Sequence, residues 1–277
     1  MTPPAAWSGR RPVRALLFDY GLTLVTLARP DDALLKAHEA VARLLRAAGA
    51  GPVPPAATLL LEVHDRVEAA ASRHQASGRL EEIDAVAEER MAFQALGLRL
   101  SDELLDAATA LVQRAWWEGV TIPPGTIDTL RELRRRGLRV GLCSNAPYRP
   151  RSLHAQLAHL GLAGLFDGVT FSSEIGWRKP SPRIFAAALD SLGAEAGWTA
   201  MVGDRRREDV AGARAAGLAT IRVREHGDDP GPDDADAVID RLSDLTELLF
   251  PPQDGDGRGS VDGDDTSRRS PTSWQEP

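Results

Sequence analysis

The sequence predicts an α/β protein: a three-layer, Rossmann-like parallel sheet core that carries an inserted all-helical domain. Three observations support this. A fully apolar run, Ala15-Leu16-Leu17-Phe18, ends in Asp19 and is broken by Gly21. From Ile127 onward, short apolar strands alternate with helices that stop at glycines. Between these, Asp31 to Trp117 reads as helix and holds no convincing strand. A wholly apolar run bounded by a glycine turn suits a central parallel strand, buried on both faces. Repeated βα alternation puts the later strands parallel to it in one sheet, with helices on both sides. The helical stretch is then an insertion after the first strand.

Residues 1–12 hold three prolines and read as a loose arm. The first strand runs from about Arg14 to Asp19. Leu34, Leu35, His38, Val41, Ala42 and Leu45 keep helical spacing, and Gly49 ends that run. After Pro52, Pro54 and Pro55, a second helix carries Leu59, Leu60, Val63 and Val67 on one face. A third spans about Glu81 to Leu96, and Ser101 caps a fourth. Four helices joined by short breaks suggest a compact bundle. Strands are then expected at Leu138–Cys143, Val169–Phe171, Thr199–Val202, Thr220–Val223 and Val238–Ile239. The intervening helices close at Gly137, Gly161, Gly193 and Gly217. The expected boundaries are a core of residues 1–24 and 121–250, a helical insertion at 25–120 and a disordered tail at 251–277. That tail is rich in Gly, Asp, Ser and Pro and cannot bury enough surface to order itself.

Composition excludes several classes of function. The formal charge is −7 over 277 residues, which argues against nucleic-acid binding. No run approaches the ~20 apolar residues of a membrane helix, and no signal-peptide pattern is seen at the N-terminus. The single cysteine, Cys143, excludes an internal disulfide and is expected to point into the core. A soluble cytoplasmic protein is expected. Oligomeric state is not legible.

The strand ends carry the chemistry. Open parallel sheets place reactive groups at their carboxyl edge. Polar groups fall there four times: Asp19 with Thr23, Ser144 with Asn145, a loop with Lys179, and Asp204 with Asp209. A carboxylate can attack phosphorus and become an acyl phosphate. Asp19 and Asp204 can share a magnesium ion, a hard cation that prefers oxygen ligands. Lys179 adds positive charge, and Ser144 and backbone amides can donate to phosphoryl oxygens. The plainer roles are helix capping for Asp204 and Asp209, strand termination for Ser144 and a solvated loop for Lys179. Pro180 restricts the backbone beside Lys179, which suits a fixed role. His38, His64 and His74 lie in the helical part and are not assigned to catalysis. Trp116 and Trp117 are expected to pack near the return to the core.

Together these segments resemble the haloacid dehalogenase-like hydrolase superfamily. FDYGLTL, GLCSN, WRKPSPRIF and VGDRRREDVAGARAAG are similar to its four motifs, in order, over about residues 13–250. The helical insertion resembles the cap of the subfamily that places it between the first two motifs. The resemblance implies a small phosphorylated substrate, with Asp19 as nucleophile and Ser144 and Lys179 as its catalytic partners. It implies substrate contacts from Thr23 and Asn145. It implies Mg²⁺ held by Asp19, Asp204, Asp209 and the backbone carbonyl of Gly21.

One position departs from the pattern. The family's phosphatases usually carry a second Asp two residues after the nucleophile, which protonates the leaving group and later activates water. Here it is Gly21. General acid-base help is worth about 10²- to 10⁴-fold. Three readings stay open: a magnesium-dependent phosphatase, a non-catalytic descendant that binds a phosphorylated ligand or a partner protein, and a haloacid dehalogenase. The Gly203-Asp204 pair favours a magnesium-dependent phosphate site over the last.

Overall fold

The computed structural model describes residues 12–226, 229–231 and 234–251. The expected N-terminal arm lies almost wholly outside the described residues, as do residues 252–277 of the expected tail.

The main sheet has six strands: β1 (Ala15–Phe18), β4 (Arg139–Ser144), β5 (Gly168–Phe171), β6 (Thr199–Gly203), β7 (Ala219–Val223) and β8 (Ala237–Ile239). Their spatial order is β5-β4-β1-β6-β7-β8, and every pair is parallel. The first strand in sequence thus lies in the middle, with β4 on one side and β6 on the other. All four β1 residues are buried. Alternate side chains on a strand face opposite ways. Leu16 and Phe18 join Val140, Leu142 and Val202 in one apolar layer, closed by Leu130, Leu133, Leu153 and Leu157. Ala15 and Leu17 join Cys143 and Met201 in the other, closed by Ile184, Phe185, Ala188 and Leu192. Cys143 is fully buried, and burial pushes its thiol up to about 12.

The inserted helices fold around their own core. Val41, Leu45, Leu59, Val63, Phe93, Leu98 and Leu105 form it. The helices span Asp31–Ala47, then Ala56–Ala76 with a wide π turn at Leu60–Asp65, then Ala85–Ala95 and Asp102–Ala115. Ser101 caps the last by accepting from the Leu104 amide, as its position predicts. The third helix starts four residues later than expected. Asp84 caps it, and Glu81 instead bridges to Trp177 of the sheet domain.

Two elements lack a sequence signature. β2 (Thr26–Leu27) and β3 (Val120–Thr121) pair antiparallel where the chain leaves and re-enters the sheet domain. Two residues are too few to show a period. The segment Ser172–Ile175 forms one helical turn after β5. The helix expected from Asp209 is a π turn, Arg206–Ala211, followed by Gly212–Ala215.

Gly168 shows how closely helix and sheet approach. A Cβ there would lie 2.8 Å from Ser191 Oγ and 2.9 Å from the Leu192 backbone nitrogen. The helix Pro182–Leu192 is held too near for any side chain. Gly168→Ala is expected to cost about 1–3 kcal/mol, as overpacking does. The readout is a fall of several degrees in Tm. An unchanged Tm would mean that this helix does not seat on β5 as described.

Candidate active site

Asp19 follows the central strand directly. Its amide donates to Val202 O at 2.9 Å, so the ladder with β6 continues through it. The next turn is tight. Leu24 and Val25 amides return to Tyr20 O, and Leu22 takes a left-handed φ of 63°. Positive φ therefore falls on Leu22 and not on Gly21. A Cβ on Gly21 would meet only Leu27 Cδ1, at 3.4 Å. Thr23 is buried, and its hydroxyl has no protein partner.

Lys179 occupies the centre of the site. Its ammonium donates to Asp19 Oδ1 and to Asp209 Oδ1, each at 2.6 Å. The side chain is 2% exposed. Burial alone would drive off its proton, but the charges of Asp19 and Asp209 outweigh burial and hold the ammonium charged. Asn145 fixes the Lys179 backbone. The Lys179 amide donates to its Oδ1 at 2.7 Å, and its Nδ2 donates to Lys179 O at 3.1 Å. Asn145 thus makes one bond to this loop from each of its two polar atoms. The sequence placed Asn145 beside the substrate, and its grip on Lys179 has no pattern that could have revealed it.

Asp209 reaches the site because residue 203 is glycine. A Cβ at Gly203 would overlap the Asp209 carboxylate. The Arg205 amide also donates to Asp209, at 3.0 Å. Likewise, a Cβ on Gly212 would lie 2.7 Å from Pro180 Cβ, so that glycine lets the Lys179 loop settle on the turn below. Asp204 follows β6 directly, is 3% exposed, and leaves Oδ1 without a partner.

Carboxylate oxygens of Asp19, Asp204 and Asp209 all lie within 4.8 Å of one another. Three acids share one ammonium, so negative charge is in excess. Burial, with the Asp19 charge, pushes the Asp204 carboxyl up to about 6. Burial raises Asp209 too, against the pull of Lys179. A hard divalent cation suits this arrangement. The donors are all oxygen, one is an orphan, and the excess charge is of the right sign.

Ser144 ends β4, next to β1, and is 4% exposed. It borders a cavity of about 350 Å³ with Gly21 and Asn145. The inserted helices and their return segment roof this cavity through Glu68, Gln113, Trp116 and Trp117. Several bonds hold the roof down. Arg178 N donates to Leu80 O and Glu82 N to Gly176 O, both at 2.9 Å. The Tyr148 hydroxyl contacts both Glu68 carboxyl oxygens at 3.0 Å. His38 and His64 are buried inside the helical part, where burial pushes His64 down to about 4 and leaves it neutral.

Lys179→Met tests the charge balance. It would leave Asp19 and Asp209 buried without their cation, at a cost of about 3–5 kcal/mol. The deficit should have a definite sign with pH. Carboxyls raised in the folded state bind protons that the unfolded chain releases. Stability of the variant should therefore fall as pH rises from about 4, the ordinary carboxyl range, to about 7. Melting curves across this range check it, and a flat difference from the parent would contradict it.

A family model described as haloacid dehalogenase-like hydrolase matches residues 13–217. The phosphoglycolate phosphatase of Rhodospirillum rubrum is 37% identical over 182 residues, which are 61% of this chain and 74% of that protein. The phosphoserine phosphatase of Thermus thermophilus is 40% identical over 124 residues, 44% of this chain and 47% of that one. The chain thus spans about three quarters of the first relative and about half of the second. Among solved structures, a HAD phosphatase from Thermococcus onnurineus aligns with a TM-score of 0.56 at 24% identity, covering 85% of this chain and 97% of that one. A 2-haloacid dehalogenase from Pseudomonas syringae aligns at 0.58 and 25% identity, with the same coverage. The three buried aspartates clustered beside one buried lysine, and the match over most of the folded chain, give one conclusion: this chain belongs to the haloacid dehalogenase-like hydrolase family.

Proposed function

We propose that this enzyme is a magnesium-dependent phosphatase of a small phosphorylated metabolite, working through an aspartyl-phosphate at Asp19. The observation that carries this reading is the cluster of Asp19, Asp204 and Asp209 around Lys179, at the end of the central strand. The names of the phosphatase relatives support the same class of substrate.

Each residue has a role in this reading. An Asp19 carboxylate oxygen attacks phosphorus, and the ester oxygen departs. Water then cleaves the acyl phosphate and frees Asp19. Lys179 holds Asp19 in place and offsets charge between two anions. Ser144 and Thr23 supply hydroxyls to phosphoryl oxygens, and Thr23 is without another partner. Asn145 positions Lys179 through two hydrogen bonds and keeps a second Nδ2 hydrogen for substrate in the cavity it lines. Asp19, Asp204, the Gly21 carbonyl and Asp209 would hold Mg²⁺, which supplies charge neutralisation at the transferring phosphoryl group.

Carbon–halogen hydrolysis fits this site poorly. Displacement of a halide from carbon needs no divalent cation, so it leaves the cluster of three carboxylates without a role. A non-catalytic descendant is favoured only by Gly21, since the rest of the cluster is intact.

The test is a panel of aryl and alkyl phosphates and haloacids, with magnesium and with a chelator. Phosphate ester turnover should vanish on chelation and return with Mg²⁺. Asp19→Asn keeps the shape but removes the attacking charge, so it should abolish turnover. Near-native turnover by that variant would refute the covalent route, and release of halide without phosphate turnover would refute the substrate class.

Gly21→Asp restores a carboxyl beside the nucleophile. The backbone at 21 needs no positive φ, and Cβ meets only one flexible side chain. Turnover of alkyl phosphates should rise, and that of aryl phosphates should change less, because poor leaving groups need a proton. A well-folded variant with no gain on any alkyl phosphate would refute the claim that Gly21 limits turnover.

A further inference from the structure

Gly21 leaves the departing oxygen without a proton donor on the core side. We propose that Glu68, on the inserted helix Arg66–Ala76, is the general acid that replaces it. This rests on the phosphatase reading above.

Glu68 lines the same cavity as Gly21 and Ser144 and is the one carboxyl among that cavity's lining residues. The other ionisable groups there are poorer donors. Arg29 stays charged, and burial pushes the Tyr20 and Tyr148 hydroxyls above their ordinary range. Tyr20 also donates to Gln156 at 3.0 Å. Glu68 is held in place. The Tyr148 hydroxyl, from the loop after β4, sits 3.0 Å from both carboxyl oxygens. Two charges also act on it: Arg29 from the linker before the inserted helices, and Asp65 from the preceding turn. Burial raises the Glu68 carboxyl, against the Tyr148 hydrogen bond and the Arg29 charge. A raised carboxyl is what a proton donor near neutral pH requires.

The step balances. As an Asp19 oxygen bonds to phosphorus, the ester P–O bond breaks. The Glu68 proton passes to the departing oxygen, giving an alcohol and a Glu68 carboxylate. Water then attacks the aspartyl phosphate. The bond between phosphorus and Asp19 breaks, its electron pair returns to Asp19, and the water's proton passes to Glu68. One water is consumed, and one alcohol and one phosphate are formed. The cavity of about 350 Å³ between Ser144 and the inserted helices is the space for a small alcohol portion.

The experiment is Glu68→Gln in the full chain with saturating magnesium, assayed on p-nitrophenyl phosphate and on glycerol phosphate. The kcat for glycerol phosphate should fall roughly 10²- to 10⁴-fold, and that for the aryl ester less than about fivefold. An equal loss on both esters would mark Glu68 as a latch or binding residue and overturn the proposal, as would no loss on glycerol phosphate. Tyr148→Phe gives a second readout if the first variant does not fold. It removes a hydrogen bond that favours the carboxylate, so the alkaline limb of the glycerol phosphate pH profile should move to higher pH. An unmoved limb overturns the proposal. If the parent protein hydrolyses neither ester, the phosphatase reading falls, and this inference with it. If the parent hydrolyses both and Glu68→Gln matches it, this inference alone falls.

Discussion

The site depends on one buried ammonium. Lys179 sits between Asp19 and Asp209, with almost no access to water. A lysine at such a depth is costly unless its charge is matched at hydrogen-bond distance. Here it is over-matched, because Asp204 adds a third carboxylate nearby. Burial, together with this surplus, raises two of the acids, and one oxygen of Asp204 has no partner. The buried acids thus form a negative cluster whose oxygen donors suit a divalent cation. In the proposed reaction, the same ammonium holds Asp19 for attack.

The sheet topology explains how residues 160 and 190 positions apart from Asp19 can meet it. The first strand in sequence is central in space, with β4 and β6 as its neighbours. Their carboxyl ends deliver Ser144 and Asp204 to either side of Asp19. The turns that follow are short and close-packed. Gly203 makes room for the Asp209 carboxylate, and Gly212 makes room for Pro180. A methyl group at either place would push apart the charges the site brings together.

Much of this was legible in the residues themselves. The apolar run of β1 and the glycine-closed helices carry the core topology, since burial on two faces leaves a plain signature. Four polar strand ends at Asp19, Ser144, Lys179 and Asp204 marked the candidate site, because only the carboxyl edge of a parallel sheet gathers such groups. Other features were invisible for physical reasons. The β2–β3 pair has two residues a side, which is too short for periodicity. The Asn145 clamp on Lys179 and the Tyr148 contact with Glu68 join residues far apart in sequence, and no local spacing encodes them. Gly203 was seen beside Asp204, but its reason, the approach of Asp209, exists only in three dimensions.

The inserted helices do more than cover the site. They contribute Glu68, Gln113 and Trp116 to the cavity above Ser144, so their docking shapes the space that the proposed substrate would enter. The central claim, however, concerns the core: Asp19, poised by Lys179, forms a covalent bond to phosphorus. Rapid quenching of the enzyme with a phosphate ester and magnesium, followed by mass analysis of the peptide that contains Asp19, tests it most directly. The account predicts a phosphoryl group on Asp19 during turnover, absent when magnesium is chelated. Turnover of the ester with an unmodified Asp19 peptide, and with phosphate oxygen drawn from labelled water in a single direct step, would contradict it.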